Sequence, residues 1–184
     1  SVAATATAED ALNAVFSSIS LDNVEFSQTV SDAFDGDSVS GAITDNRFFL
    51  IGGDAIDLSA SQIVGESINF RNIGDKAVSA GEATTAIFSR LDISQVGIGI
   101  ASKDSSTVEV TGVSISEAKY AGLASYQKKP EYGPSKLITT GVAITETAQP
   151  FLAQTNSYIL VDSKKTITSD VDVEALYEAG ILGN

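Results

Sequence analysis

Apolar residues in this chain recur in short bursts of alternation, not at helical spacing. Four stretches open on a small residue and then a large apolar one: Ala33-Phe34-Asp35-Gly36-Asp37, Ala55-Ile56-Asp57-Leu58-Ser59, Ala77-Val78-Ser79-Ala80-Gly81 and Gly99-Ile100-Ala101-Ser102-Lys103, each starting 22 residues after the last. Gly122-Leu123-Ala124-Ser125-Tyr126 comes after 23 and Pro150-Phe151-Leu152-Ala153-Gln154 after a further 28. A second apolar column precedes these units at Phe26, Phe49, Phe70, Ile93, Ile115 and Ile144. A third, β-rich piece comes earlier still, as Ala86-Ile87-Phe88, Val108-Glu109-Val110 and Leu137-Ile138.

Three strand-like pieces per repeat, separated by Gly, Ser, Asn and Asp, predict an all-β parallel solenoid. One coil alone cannot bury its apolar side chains, whereas coils stacked ~4.8 Å apart place like residues over like and complete the backbone ladder. Phe34, Ile56, Val78, Ile100, Leu123 and Phe151 then form one interior stack. Gly36, Ala80, Ser102, Ser125 and Ala153 form a small-residue column that Leu58 interrupts. An antiparallel sandwich also spaces short strands regularly, but it has no reason to repeat three equal steps with matching residue types. The open ends of a solenoid need covers. Residues 8–16 read as a short helix with Leu12, Val15 and Phe16 on one side, and residues 1–7 as a frayed terminus. At the other end, Ser169 or Asp170 is placed to cap a helix through Val173, Leu176 and Tyr177 that Gly180 stops. The expected division is an N-terminal cap over 1–17, a β-helix over 18–168 and a C-terminal helical cap over 169–184.

Composition narrows the chemistry. The 184 residues include no His, Cys, Met or Trp, which excludes zinc fingers, thiol nucleophiles, haem ligation and histidine-based triads. A formal charge of −13 repels polyanions, so nucleic acid is not an expected partner. No apolar run is long enough for a membrane helix, and residues 1–16 lack the basic and apolar regions of an intact secretory signal. Few charges with abundant Ser, Thr, Ala and Gly lean toward a secreted or cell-surface protein, the periplasm included.

The ordered series of motifs carries a resemblance. Ser31-Asp32-Ala33-Phe34-Asp35-Gly36-Asp37, Gly53-Asp54-Ala55-Ile56-Asp57-Leu58-Ser59, residues 72–82 from Asn72 to Glu82, Gly99-Ile100-Ala101-Ser102-Lys103-Asp104 and residues 124–132 from Ala124 to Tyr132 resemble the right-handed parallel β-helix repeat. More narrowly, residues 18–165 are similar to β-helix segments of bacterial proteins that carry a spore-coat-protein-H-like kinase domain. The resemblance implies a right-handed β-helix in an exported or surface bacterial protein. It implies no settled activity, and the kinase part is not in this chain.

Acidic residues cluster toward one end of one face. Asp35 and Asp57 fall in one outward column, Asp37 points the same way, and Asp32 and Asp54 match at the turn before the strand. Stacked carboxylates repel unless a cation bridges them or one keeps its proton. One reading is therefore a Ca²⁺ site made by Asp32, Asp35, Asp37, Asp54 and Asp57. Another is polysaccharide cleavage through Asp35, Asp37 and Asp57, since β-helix hydrolases carry such clusters. In a lyase, Lys76 or Lys103 would be the base, provided burial lowered its pKa. The plainest reading is solvated Asp at turns. Farther along come Lys76, Lys103 and Tyr126, then an insertion, QKKPEYGPS over 127–135, with Lys128, Lys129 and Tyr132. Such a loop is expected to overhang the face and to bind, with those residues, an extended polysaccharide or another cell-surface ligand. The leading expectation is a non-catalytic structural or carbohydrate-recognition module, with neighbouring domains or self-association as further partners. Assembly into a fibre or coat is the third reading.

Overall fold

The computed structural model describes residues 2–5 and 9–183. Those residues form a parallel β-solenoid of about seven turns. The first coils are built from β1 (Val2–Thr5), β2 (Leu12–Val15), β3 (Ser18–Asp22), β4 (Val24–Thr29), β5 (Phe34–Asp37), β6 (Ser40–Thr44), β7 (Arg47–Ile51) and β8 (Ile56–Ser59). Longer strands then run around the corners: β9 (Gln62–Gly81), β10 (Thr85–Lys103) and β11 (Thr107–Tyr126). The chain closes with β12 (Lys136–Thr145), β13 (Phe151–Ala153), β14 (Tyr158–Val161), β15 (Lys164–Lys165) and one helix, α1 (Val173–Glu178).

Three faces result. The first joins β2, β5, β8, the ends of β9, β10 and β11, and β13, with Leu12, Phe34, Ile56, Val78, Ile100, Leu123 and Phe151 in one register column. The second runs from β3 and β6 to β12 and β14. The third joins β1, β4, β7 and the middles of the long strands. Corners are taken in the left-handed backbone region, one column being Asn23 (φ 54°), Asp45 (56°), Ser67 (56°), Arg90 (55°), Gly112 (73°) and Gly141 (68°). No β-branched residue stands in that column, as steric crowding at positive φ requires.

The third-face column departs from the expected one by a single residue. Phe26 pairs with Phe48 and Phe48 with Phe70, while Phe49 points outward and is 41% exposed. Because side chains alternate along a strand, one step in register exchanges inside for outside. The three rings stack at centroid distances of 5.0 and 5.2 Å, with their planes nearly parallel. Leu58 fits its small-residue column because Gly36 lies beside it: a Cβ at Gly36 would meet Leu58 Cδ2 at 3.2 Å and Val39 Cγ2 at 2.9 Å. Phe88 likewise occupies the space that a Cβ on Gly65 would need.

Both ends differ from expectation. Over 8–16 the described residues form strand, not helix: Leu12–Val15 pairs with β5, and residue 8 lies outside the described set. Apolar residues at 12 and 15 fit a helix, but pairing with β5 supplies both backbone partners and burial for Leu12 and Ala14, so tertiary context overrides the local pattern. Phe16 is left 84% exposed at a corner. Val2–Thr5 pairs with β4, so strand pairing begins before residue 18; residues 1 and 6–7 of the expected frayed segment lie outside the described set. The C-terminal helix forms, but its cap is Asp172 and not Ser169 or Asp170: the Asp172 side chain accepts from Ala175 N, and Gly180 at φ 66° ends the helix. It covers a side of the solenoid and not its end: Val173 and Leu182 pack with Ile98, Ala101, Ala121, Ala124, Tyr126 and Leu152. The last edge of the second face is covered by β15, antiparallel on β14, whose two lysines are exposed.

Replacing Phe48 with Ala should cost about 3–5 kcal/mol of unfolding free energy in urea titrations. Phe49→Ala should cost no more than about 0.5 kcal/mol, as an exposed site does. The reverse ranking would show the register to be shifted by one.

Candidate functional site

The acidic residues at the turn before the first face serve the backbone. Asp10 Oδ1 accepts from Asp32 N at 3.1 Å, Asp32 Oδ1 from Asp54 N at 2.6 Å and Asp54 Oδ1 from Lys76 N at 2.8 Å. Each carboxylate thus satisfies an amide one coil farther on that the strand ladder leaves free. Asp10, 22 residues before Asp32, belongs to the same series and was legible from the spacing. Asp54 is 6% exposed and Lys76 2%; the Lys76 ammonium lies 3.4 Å from Asp54 Oδ1 and 2.6 Å from Asp75 Oδ2. Burial raises the Asp54 pKa to about 7, with Asp75 and Asp57 adding to the rise against the pull of Lys76. Burial on its own would lower the Lys76 pKa, but Asp54 and Asp75 outweigh it and hold the amine above the usual lysine range. Lys76 is therefore opposite in character to the proton acceptor that a lyase needs.

Asp35 and Asp57 are register partners, as the spacing predicts, and Asn13 and Ser79 continue their column. Asp35 accepts from Asn13 Nδ2 at 2.7 Å. Burial, then Asp37 and Asp57, lift its pKa from 3.8 to about 6. Asp37 is exposed and lies between Val15 and Ser59 in its own column. Among the described residues, no three acidic side chains come together in a group able to hold a metal ion.

The change of character along these columns has a structural cause. Toward the C-terminal end, Ala101 and Ala124 of the outward column are buried beneath the returning segment that contains α1. Tyr126, expected to offer its face to a ligand, is fully buried, and its hydroxyl lies 2.9 Å from that of Tyr177. Where the covered region meets the uncovered carboxylates, a cavity of about 560 Å³ opens. Asp32, Asp54, Asp57 and Asp75 line it together with Lys76, Lys103 and Lys128, and Tyr120 and Tyr177 stand at its margin. Asp35 and Asp37 are not among its lining residues, so the three carboxylates considered for hydrolysis do not share it. Gly52, Gly53 and Gly74 border it on the solenoid side, and Gly180 and Gly183 border it from the returning segment.

Lys103 Nζ lies 3.9 Å from Asp57 Oδ1. Lys128 Nζ sits 4.2 Å from the centre of the Tyr177 ring, and burial, then Lys103 and Lys76, lower its pKa. The insertion does not overhang freely. Asp104 Oδ1 accepts from Lys128 N and Lys129 N at 2.6 and 2.8 Å, and Gln127 Nε2 donates to Tyr132 O at 2.6 Å. Lys129 and Tyr132 both bond Glu82 and do not line the cavity. Asp75 and Tyr177 join the site without being singled out by the sequence pattern. Asp75 adjoins Lys76 in sequence, but nothing local reveals that the segment with Tyr177 folds back across the face.

Comparison with protein-family models, with curated proteins and with solved structures finds no match. The solenoid itself is what the chain is shown to be. No helix among the described residues is long and apolar enough to cross a membrane.

A carboxyl whose pKa is raised on folding favours the folded state at low pH and loses that advantage as pH rises through the folded value. With Asp35 moving from 3.8 to about 6, its contribution should fall away across that interval. Asp35→Asn should therefore raise the melting temperature at pH 7 relative to the unsubstituted chain and leave it nearly unchanged at pH 4. An equal difference at both pH values would show that Asp35 is not strained by its neighbours.

Proposed function

We propose that this solenoid is a non-catalytic carbohydrate-recognition module of an exported bacterial protein, and that it takes its ligand in the cavity beside the returning C-terminal segment. The observation that carries the reading is the mixed lining of that cavity: four carboxylates and three lysines around about 560 Å³. Carboxylates accept hydrogen bonds from sugar hydroxyls, and ammonium groups donate to sugar oxygens. A lining this polar suits a hydroxyl-rich ligand better than an apolar one, since small-molecule sites are otherwise mostly apolar.

The charges nearly balance. Four carboxyl groups face three ammonium groups, and burial raises the Asp54 pKa, which lessens the negative side of the balance. The chain as a whole stands at −13. A neutral oligosaccharide is therefore favoured over a uronate polymer, which would meet the net field of the whole molecule. The narrower kinship with β-helix segments next to spore-coat-protein-H-like kinase domains belongs to the same proposal; it accords with an exported setting and adds no ligand of its own. Calcium is not part of it, since no three acidic side chains among the described residues come together in a group able to hold a metal ion.

Isothermal titration against a panel of neutral and acidic oligosaccharides tests this reading. Neutral oligosaccharides should bind, and Asp57→Asn combined with Lys103→Gln should weaken binding at least tenfold with the β-sheet circular dichroism retained. Absence of heat with every glycan of the panel would overturn it, and stronger binding of uronates would overturn the preference for a neutral ligand.

A further inference from the structure

The Lys76, Asp54 and Asp75 cluster has more geometry than an ion pair requires. Asp54 Oδ1 is held by two donors from one residue, the Lys76 backbone N at 2.8 Å and the Lys76 Nζ at 3.4 Å. The Asp54 carboxyl therefore cannot turn away from the amine. Asp75 Oδ2 accepts from the same Nζ at 2.6 Å. The returning segment closes over the group: Gly183 packs so tightly on the Asp75 carboxylate that a Cβ there would overlap it. Asp54 and Lys76 also line the cavity, through which a small leaving molecule can depart.

We propose that Lys76 and Asp54 condense into an intramolecular isopeptide bond between Lys76 Nζ and Asp54 Cγ, joining neighbouring coils covalently. Asp75 Oδ2 takes one proton from the ammonium, and the freed nitrogen pair attacks Cγ of the protonated Asp54 carboxyl. Negative charge gathers on Oδ1, where the Lys76 backbone N–H already donates. A second nitrogen proton passes to the Oδ2 hydroxyl, the Cγ–Oδ2 bond breaks and water leaves. One C–N bond has formed, and Asp75 keeps the first proton until solvent takes it. Neither an oxidant nor any other co-reactant is consumed.

The electrostatics set the pace. With burial raising the Asp54 pKa to about 7, the neutral acid, the form that loses hydroxide as water, is well populated at neutral pH and predominates below it. Protonation of Asp54 removes one of the two charges that hold the amine protonated, and the amine becomes a nucleophile only after the transfer to Asp75. The bond is thus a slow maturation of the folded chain, and an unfolded chain, which lacks this arrangement, does not form it. It does not depend on whether the cavity binds sugar; once it forms, Asp32, Asp57 and Asp75 face Lys103 and Lys128 there.

Intact mass measured on the denatured chain after prolonged incubation at neutral pH tests the proposal. The mass should be lower than the sequence mass by one water, trypsin should fail to cut after Lys76, and a branched peptide should carry Asp54 and Lys76 together. Lys76→Met should retain the full mass, and Asp75→Asn should remain uncrosslinked while keeping the β-sheet circular dichroism. Full mass with normal cleavage after Lys76 in the unsubstituted chain overturns the proposal. So does a water loss that maps to Asp35-Gly36, the product of cyclisation at an Asp-Gly bond. The decisive reading is made on the unsubstituted chain and stands even if a variant fails to fold.

Discussion

Everything in this molecule depends on coils stacking in register, and the demanding part of that constraint lies at the corners. Along the strands the parallel ladder pairs each amide without help from side chains. At the corners the chain turns through left-handed backbone and some amides lose their strand partner, so side chains must replace it. Two columns do this in opposite directions. Asp10, Asp32 and Asp54 each reach forward to the next coil's amide. Ser61, Thr84, Ser106 and Ser157 reach back to the amides of Val39, Ser61, Thr84 and Ser135 in the coil before. A slip of one residue would break both series at once, which is how short side chains at corners fix the register of the apolar stacks between them.

The same constraint produces the site. A forward-reaching carboxylate is needed wherever an amide is left open, so acidic groups accumulate at one corner, buried and close together. Lys76 takes the next position in that series, in register above Asp54, and its ammonium answers the charge beneath it. The returning C-terminal segment then covers the apolar half of the face, and among the carboxylates it reaches Asp75. The cavity is the margin between the two. Its polarity is inherited from the corner, and its shape from the segment that borders it.

The solenoid is legible in the sequence because its cause is periodic. Equal steps of 22 residues put Phe34, Ile56, Val78 and Ile100 in one column, and the pairing continues that column through Leu123 and Phe151. Phe49 is not legible in the same way because two phenylalanines adjoin, and only pairing with Phe26 and Phe70 decides which one faces in. The N-terminal strand escapes a local reading because Leu12, Val15 and Phe16 suit a helix as well as an edge, and the pairing that decides lies in the next coil. Spacing locates the carboxylates but does not reveal their work: it shows that Asp32 and Asp54 coincide and not that each holds a backbone amide. Tyr126 and Tyr177 lie far apart in sequence, and no local pattern announces that one covers the other.

Amide hydrogen exchange resolved residue by residue tests the central claim most directly. If corner side chains hold the register, the amides of Asp32, Asp54 and Lys76, and those of Val39, Ser61, Thr84 and Ser135, exchange as slowly as the strand amides beside them. Asp54→Ala then releases the Lys76 amide selectively while the strand amides remain slow. Fast exchange at these corner amides in the unsubstituted chain, with the strands still protected, would contradict the account.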